Sequence, residues 1–457
     1  MKTKKLHMDP LDLTALCNGL VFFAPVALLV RSTAGVSTEQ FFVLQALLSA
    51  VVLAAEVPSG WLTDRIGCQR TLVLYQLTNL GAKGLLLAAW HLHSLPLFVL
   101  EAVVEGLGHF VPLAAPVDCC ESGSTLRFLI PLASLSGQAV TFTGRGRLME
   151  RPQSVYEAVF AQQGLRLEHI PQGLVVEGAL RSGRYELAGD VSSQFISGLL
   201  FALPLLEGDS TLQLLPPVES RSYIQLTRQV QQRFGVHSRW LSERELLIPG
   251  GQQYRPCRYT VEGDYSQAAF PAVLGAVCGG VTITGLAADT LQGDAVILDI
   301  LRRAGARFTA DADGLHFEKA PLHGVDIDLA DCPDLGPVLM VLGLLCSGTT
   351  CIRNAQRLRL KESDRIAAME AELQACGGRI QSDGGQILIQ GCAGALHAPA
   401  APLQGHNDHR VVMSLTVLAL AAGLPVTIDG AEAVAKSWPD FFDAARALGA
   451  EVNEYAG

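Results

Sequence analysis

Charge is scarce in this sequence. Asp, Glu, Lys and Arg together make up 17% of its 457 residues, and the formal net charge is −10. That balance argues against general affinity for nucleic acid. The eleven cysteines are scattered, with Cys119–Cys120 the only close pair and no C-x-x-C anywhere. This favours a reducing cytosol over a disulfide framework and offers no metal site. No Pro/Ser-rich linker divides the chain, although its composition changes abruptly at AAPVDCCESGSTLRF. The length leaves room for two or three domains. Mean hydropathy is +0.30, apolar for an enzyme, so a membrane part is worth seeking.

The apolar excess lies in residues 1–117. Leu13 to Val30 runs for 18 residues without a charge, close to the roughly 20 that a spanning helix needs. Phe41–Ala55, Leu72–Trp90 and Leu95–Pro116 are three further candidates, each broken by a polar residue or two. Met1-Lys-Thr-Lys-Lys precedes the first, and Asp64 to Arg70 lies between the second and third. Basic flanks favour the cytoplasmic side. Four membrane helices over residues 13–116 would therefore return the chain to the cytoplasm near Asp118, with the bilayer as a partner. A cleaved signal peptide or buried soluble helices are the alternatives. Gly60, Asp64, Arg65, Gly67 and Arg70 form a G-x-x-x-D-R-x-G-x-x-R pattern. The pattern resembles the loop after the second helix of major facilitator superfamily transporters.

Beyond Asp118 the pattern is α/β and repetitive. Five times a polar start leads into an apolar helix, a Gly turn and a β-branched strand. Anchored on Ser124, Ser192, Ser266, Asp334 and Asp408, the spacings are 68, 74, 68 and 74 residues. Fixed-period similarity marks a repeated supersecondary unit, and the two alternating spacings place the units in related sets. In the second repeat the serines cap a helix from about Gln194, Phe195 to Leu206 fills it, and Gly208 ends it before a strand at Thr211–Leu214. Such a start is either a plain cap or a seat for an anion.

Several cationic stretches invite chemistry. Arg145, Arg147 and Arg151 follow the strand Val140–Thr143, either as a solvated turn or as a group drawn to an anion. Lys361, Glu362, Asp364 and Arg365 crowd the start of a helix running to about Cys376. The acids there read as first-turn charges, or Lys361–Glu362 as a proton-transfer pair. His409 and Arg410 open the last repeat, and Lys436 precedes a Ser-Trp-Pro break. Together these read as a cleft for a substrate with several negative groups. His406 and His409 are spaced for ligation, but no acidic or cysteine cluster supports a metal.

The segments ESGSTLRFLIP, TGRGRLMERPQSVYE, GDVSSQFISGLLFALPLL, ESRSYI, VEGDYSQAAF, ADCPDLGPVLMVL, RLRLKESDR, GHNDHRVVMS and AVAKSWPDFF run in order over residues 118–457. They resemble the 5-enolpyruvylshikimate-3-phosphate (EPSP) synthase family; the related UDP-N-acetylglucosamine enolpyruvyl transferases fit KESDR and ERPQS less well. The resemblance implies transfer of the enolpyruvyl group of phosphoenolpyruvate to the 5-hydroxyl of shikimate 3-phosphate, with release of phosphate and no metal or organic cofactor. Ser192, Ser193, Gln194, Ser220, Tyr223, Asp334, Arg357 and Lys361 would contact shikimate 3-phosphate. Gly123, Arg151, Gln194, Arg365, His409, Arg410 and Lys436 would contact phosphoenolpyruvate. Asp334, Lys361 and Glu362 would move protons.

The family fold has two lobes, each of three βαβαββ units, and is cytoplasmic. The implied domains are a membrane segment (1–117), an incomplete first lobe (118–261) and a second lobe (262–457). Five units are present where six are expected. The resemblance lacks about the first ninety residues of the family pattern, with its Lys-Ser…Arg motif. Lys83 is the only lysine between Lys5 and Lys319 and does not match it. Weakened catalysis is therefore expected. The alternatives are a transporter-like or anchored membrane protein with a degenerate enzyme domain, and a chimeric join of two fragments.

Overall fold

The computed structural model describes residues 31–51, 68–107, 116–171 and 173–455. It divides into two compact units, residues 1–116 and 117–457.

In the first unit a helical stretch covers residues 38–51. It is followed by α1 (Cys68–His91) and α2 (Leu95–Leu107), which pack as a hairpin. Leu86, Ala89, Phe98 and Ala102 form its small core with Ala34, Val36 and Leu44. Inside it, Arg31 Nη2 meets Glu101 Oε2 at 2.8 Å, both side chains buried. These elements correct the expectation of membrane-spanning helices. Among the described residues, no helix is long and apolar enough to cross a membrane. The physical reason is plain in both helices. α1 carries Gln69, Arg70, Gln76, Asn79 and Lys83. The described part of α2, Leu95–Leu107, includes Glu101 and Glu105. The bilayer as a partner and a membrane location lose their support with them. The run Leu13–Val30, parts of the second and fourth runs and Gly60 to Gly67 lie outside the described residues.

The second unit repeats one plan. β1 (Val117–Asp118), α3 (Gly123–Ala133), β2 (Val140–Thr143), α4 (Ser154–Gln163), β3 (Arg166–Ile170) and β4 (Gly173–Glu177) form the first module. Its sheet order is β1-β2-β4-β3, a parallel pair followed by an antiparallel hairpin. β5 (Arg184–Ala188), α5 (Ser193–Ala202), β6 (Ser210–Leu215), α6 (Arg221–Arg233), β7 (Arg239–Trp240) and β8 (Glu245–Ile248) repeat it, in the order β5-β6-β8-β7. The third module holds α7 (Tyr265–Cys278), β9 (Val281–Ile283), α8 (Ile297–Arg303), β10 (Arg307–Asp311) and β11 (Gly314–Glu318). β12 (Asp326–Asp328), α9 (Gly336–Leu345), β13 (Thr349–Arg353), α10 (Arg365–Ala375), β14 (Arg379–Asp383) and β15 (Gln386–Gln390) restore the full pattern. The last module has β16 (Leu403–Gln404), α11 (His409–Ala422), β17 (Ile428–Asp429) and α12 (Phe441–Ala447).

Two apolar cores result. Leu126, Ile130, Phe142, Tyr156, Phe195, Leu199, Leu212 and Leu246 belong to the first. Phe270, Val273, Leu339, Met340, Val341, Met413 and Leu415 belong to the second. In the second core α7, α9 and α11 pack on one another, so α9 is buried from Gly336 through Leu344. A helix enclosed on every side is apolar on every side. In the first core α3 packs on α5. Gly198 permits that approach, because a Cβ there would strike the Arg127 carbonyl and the Tyr156 hydroxyl.

The module starts show why polar residues recur. Ser122, Ser192, Asp264 and Asp408 are N-caps whose side chains accept from the N–H of Thr125, Gln194, Ser266 and Arg410. Each satisfies an orphan donor of the first turn. The fourth module departs from this. A 3₁₀ turn, Pro333–Leu335, leads into α9 without a side-chain cap. Its Asp334 is free for another use.

Candidate active site

The departure at Asp334 lies at the centre of a charged cluster between the two cores. Asp334 Oδ1 accepts from Lys361 Nζ at 2.9 Å and from Arg365 Nη1 at 3.1 Å. Its other oxygen lies 3.6 Å from Arg410 Nη2. Burial pushes the Asp334 carboxyl up, but Lys361, Arg410 and Arg365 outweigh that and hold it well below 3.8. Asp334 is thus an ionised carboxylate of low basicity.

Arg365, at the start of α10, is only 1% exposed. Besides Asp334 it donates to Asp408 Oδ2 at 2.8 Å and to Glu362 Oε2 at 2.7 Å. Its guanidinium fork is committed to three carboxylates, so it orders the cluster from behind. Burial and the Arg365 charge move the Lys361 ammonium below its usual range, against the opposing pull of Asp334 and Glu362. Lys361 is therefore the member of the cluster shifted toward neutral pH. Burial raises the Glu362 carboxyl, but Arg365 foremost, with Lys361 and Arg151, brings it below its ordinary value.

Across the gap, the first core contributes Arg127, Arg151, Pro152, Val191, Ser192 and Gln194 to a cavity. Arg357, Leu360 and Lys361 close it from the other side. Arg151 Nη1 stands 3.7 Å from Glu362 Oε1. Its guanidinium rests on Gly123, where a Cβ would come 2.6 Å from Nη1. Arg357 Nη1 donates to Glu219 at 3.1 Å and Ser220 Oγ at 2.9 Å, bridging the cores. Ser193 is buried at the first turn of α5, beside Ser192. Arg410 donates to Ser266 Oγ at 2.9 Å and to the Asp334 carbonyl at 3.1 Å. Buried His409 is held down to about 4 by burial and by Arg410 and Arg365.

Not every expected residue converges. Tyr223 gives its hydroxyl to Asp294, and neither lines the cavity. Lys436 is paired with Glu121 at 2.6 Å. Of the three loop arginines, Arg145 pairs with Asp118 and Arg147 with Glu150 on the surface; only Arg151 turns inward. His406 bonds Glu372 at 2.8 Å, away from a metal-ligating role. Among the described residues, no His/Cys/Asp/Glu group is arranged to hold a metal ion.

The sequence reading passed over Arg127. Its Nη1 donates to Gln194 Oε1 at 2.9 Å and reaches Ser192 Oγ at 3.5 Å. Its guanidinium stacks 4.5 Å over Phe195. Burial, with Arg151 and Arg357 nearby, draws it down to about 9. An arginine so deeply placed, facing hydroxyl and amide oxygens, is poised for an anion. The available signal was one charge inside the apolar run TLRFLIPLASL.

A family model for EPSP synthase (3-phosphoshikimate 1-carboxyvinyltransferase) matches residues 99–445, beginning inside α2. A 3-phosphoshikimate 1-carboxyvinyltransferase of Clostridium kluyveri is 42% identical over 342 residues, covering 74% of this chain and 80% of the relative. That of Clostridium novyi is 40% identical over 344 residues, covering 74% and 78%. Among solved structures, EPSP synthase from Acinetobacter baumannii matches with a TM-score of 0.59 at 24% identity, over 74% of this chain and 79% of that one. The enolpyruvyl transferase NikO from Streptomyces tendae matches with a TM-score of 0.57 at 18% identity, over 74% and 96%. The two-lobed α/β fold of these structures corresponds to the two cores described above.

Proposed function

Because the chain belongs to the EPSP synthase family, we propose that the cavity between its two cores binds phosphoenolpyruvate and shikimate 3-phosphate and joins them. The observation carrying this reading is the meeting of Lys361, Glu362 and ionised Asp334 with Arg127, Arg151 and Arg357 around one cavity. Two polyanionic substrates need several fixed cations, and addition followed by elimination needs a proton delivered and removed.

Ser192, Ser193, Ser220 and Gln194, with Arg357 behind Ser220, are assigned to shikimate 3-phosphate. Tyr223, its hydroxyl given to Asp294, is assigned nearby rather than to the cavity wall. Arg151, Arg410, Lys436 and His409 are assigned to phosphoenolpyruvate beside the Gly123 backbone, with Arg365 ordering them. Asp334 accepts a hydrogen bond from the attacking 5-hydroxyl, whose proton is given up as its oxygen bonds the C2 carbon of phosphoenolpyruvate and leaves with the departing phosphate. Its low basicity leaves Lys361, helped by Glu362, as the group that protonates and then deprotonates the methylene carbon while phosphate departs.

About a fifth of the C. kluyveri relative has no matched counterpart in this chain. We assign to that part the family's Lys-Ser…Arg contacts to both substrates. Loss of one preorganised donor lowers turnover about 10²- to 10³-fold, so the chain is expected to work slowly. Phosphate release from the full chain with both substrates tests this. Release that depends on shikimate 3-phosphate and runs about 10²-fold or more below a complete relative is expected. Release no faster than with phosphoenolpyruvate alone would overturn the reading.

A further inference from the structure

Glu121 stands one residue before the cap of α3, outside every role assigned so far. Its Oε2 accepts from Lys436 Nζ at 2.6 Å and from Asn407 Nδ2 at 3.0 Å. Lys436 also donates to the Asn407 carbonyl at 2.6 Å. Asn407 and its neighbour His406 both hold left-handed backbone, φ +53° and +52°, a costly conformation for residues other than glycine. On the other side the carboxylate rests on Gly146, where a Cβ would lie 3.0 Å from Oε2. A first-core carboxylate is thus seated in a nest made by two second-core elements. Burial and the charge of Glu362 oppose its ionisation, but the bonds from Lys436 and Asn407 hold it ionised below its ordinary value.

We propose that Glu121 is an internal anion that keeps Lys436 in place across the two cores and releases it to the anionic group of the incoming substrate. It is a positioning residue, and the proposal rests on the assignment of Lys436 to phosphoenolpyruvate. Glu121→Gln keeps the shape and the acceptor oxygen while removing the competing charge.

Calorimetric titration of phosphoenolpyruvate into the full chain, E121Q, K436M and the double variant tests this. E121Q is expected to bind about threefold tighter, a gain limited by the pair's partial exposure. The gain is expected to shrink with added salt and to vanish in the K436M background. Glu121→Ser is expected to shift affinity in the same direction, should E121Q fold poorly. Equal or weaker binding by both Glu121 variants, or a gain that survives without Lys436, would overturn the proposal. Equal binding by the native chain and K436M would remove the Lys436 assignment and the proposal with it. Absence of binding to all variants would overturn the reading of the whole site.

Discussion

Burial among guanidinium groups keeps His409 neutral at pH 7. Its folded value of about 4 lies below the usual 6.5, so the unfolded chain binds the extra proton first as pH falls. The stability at stake is fully present above about pH 6.5 and is lost toward pH 4, up to about 3 kcal/mol. His409→Asn is therefore expected to flatten the pH dependence of the melting temperature between pH 6.5 and 4. Differential scanning calorimetry of both proteins checks it, the difference between them cancelling other titrating groups. At this scale the sequence was legible where a motif named the residue, as with Asp334, Lys361 and Arg151. It was silent where only the fold brings partners together. Glu121 and Lys436 are 315 residues apart, and nothing local in either stretch announces the pair.

The modules show what a repeat can and cannot convey. Helix starts were readable because capping is local: Ser192 caps α5, and the strand expected at Thr211–Leu214 is β6 at Ser210–Leu215. The same repetition hid the exception in the fourth module, whose helix α9 starts without a side-chain cap. The difference is testable. Asp264→Ala removes a working cap on α7 and is expected to cost about 1 kcal/mol of stability, seen as a lower urea midpoint. Asp334→Asn is expected to leave the start of α9 intact and to alter substrate binding instead. Among the described residues the membrane expectation lost its support at this scale too. The apolar run from Leu95 gave no sign that its Glu101 is buried against Arg31.

For the molecule as a whole, the enzymatic unit is two cores joined by charge. Arg151–Glu362, Arg357–Glu219 and Lys436–Glu121 all cross between them. Arg127, Arg151, Arg357 and Lys361 line one cavity, and the surroundings of Lys361 shift its ammonium below its usual range. The most direct measurement follows deuterium at the methylene carbon of phosphoenolpyruvate in D₂O. The full chain is supplied with shikimate 3-phosphate and compared with Lys361→Met. Label is expected to accumulate with the native chain and to fall about 10²-fold in the variant. Equal labelling by both proteins, or phosphate release without any label, would contradict the account.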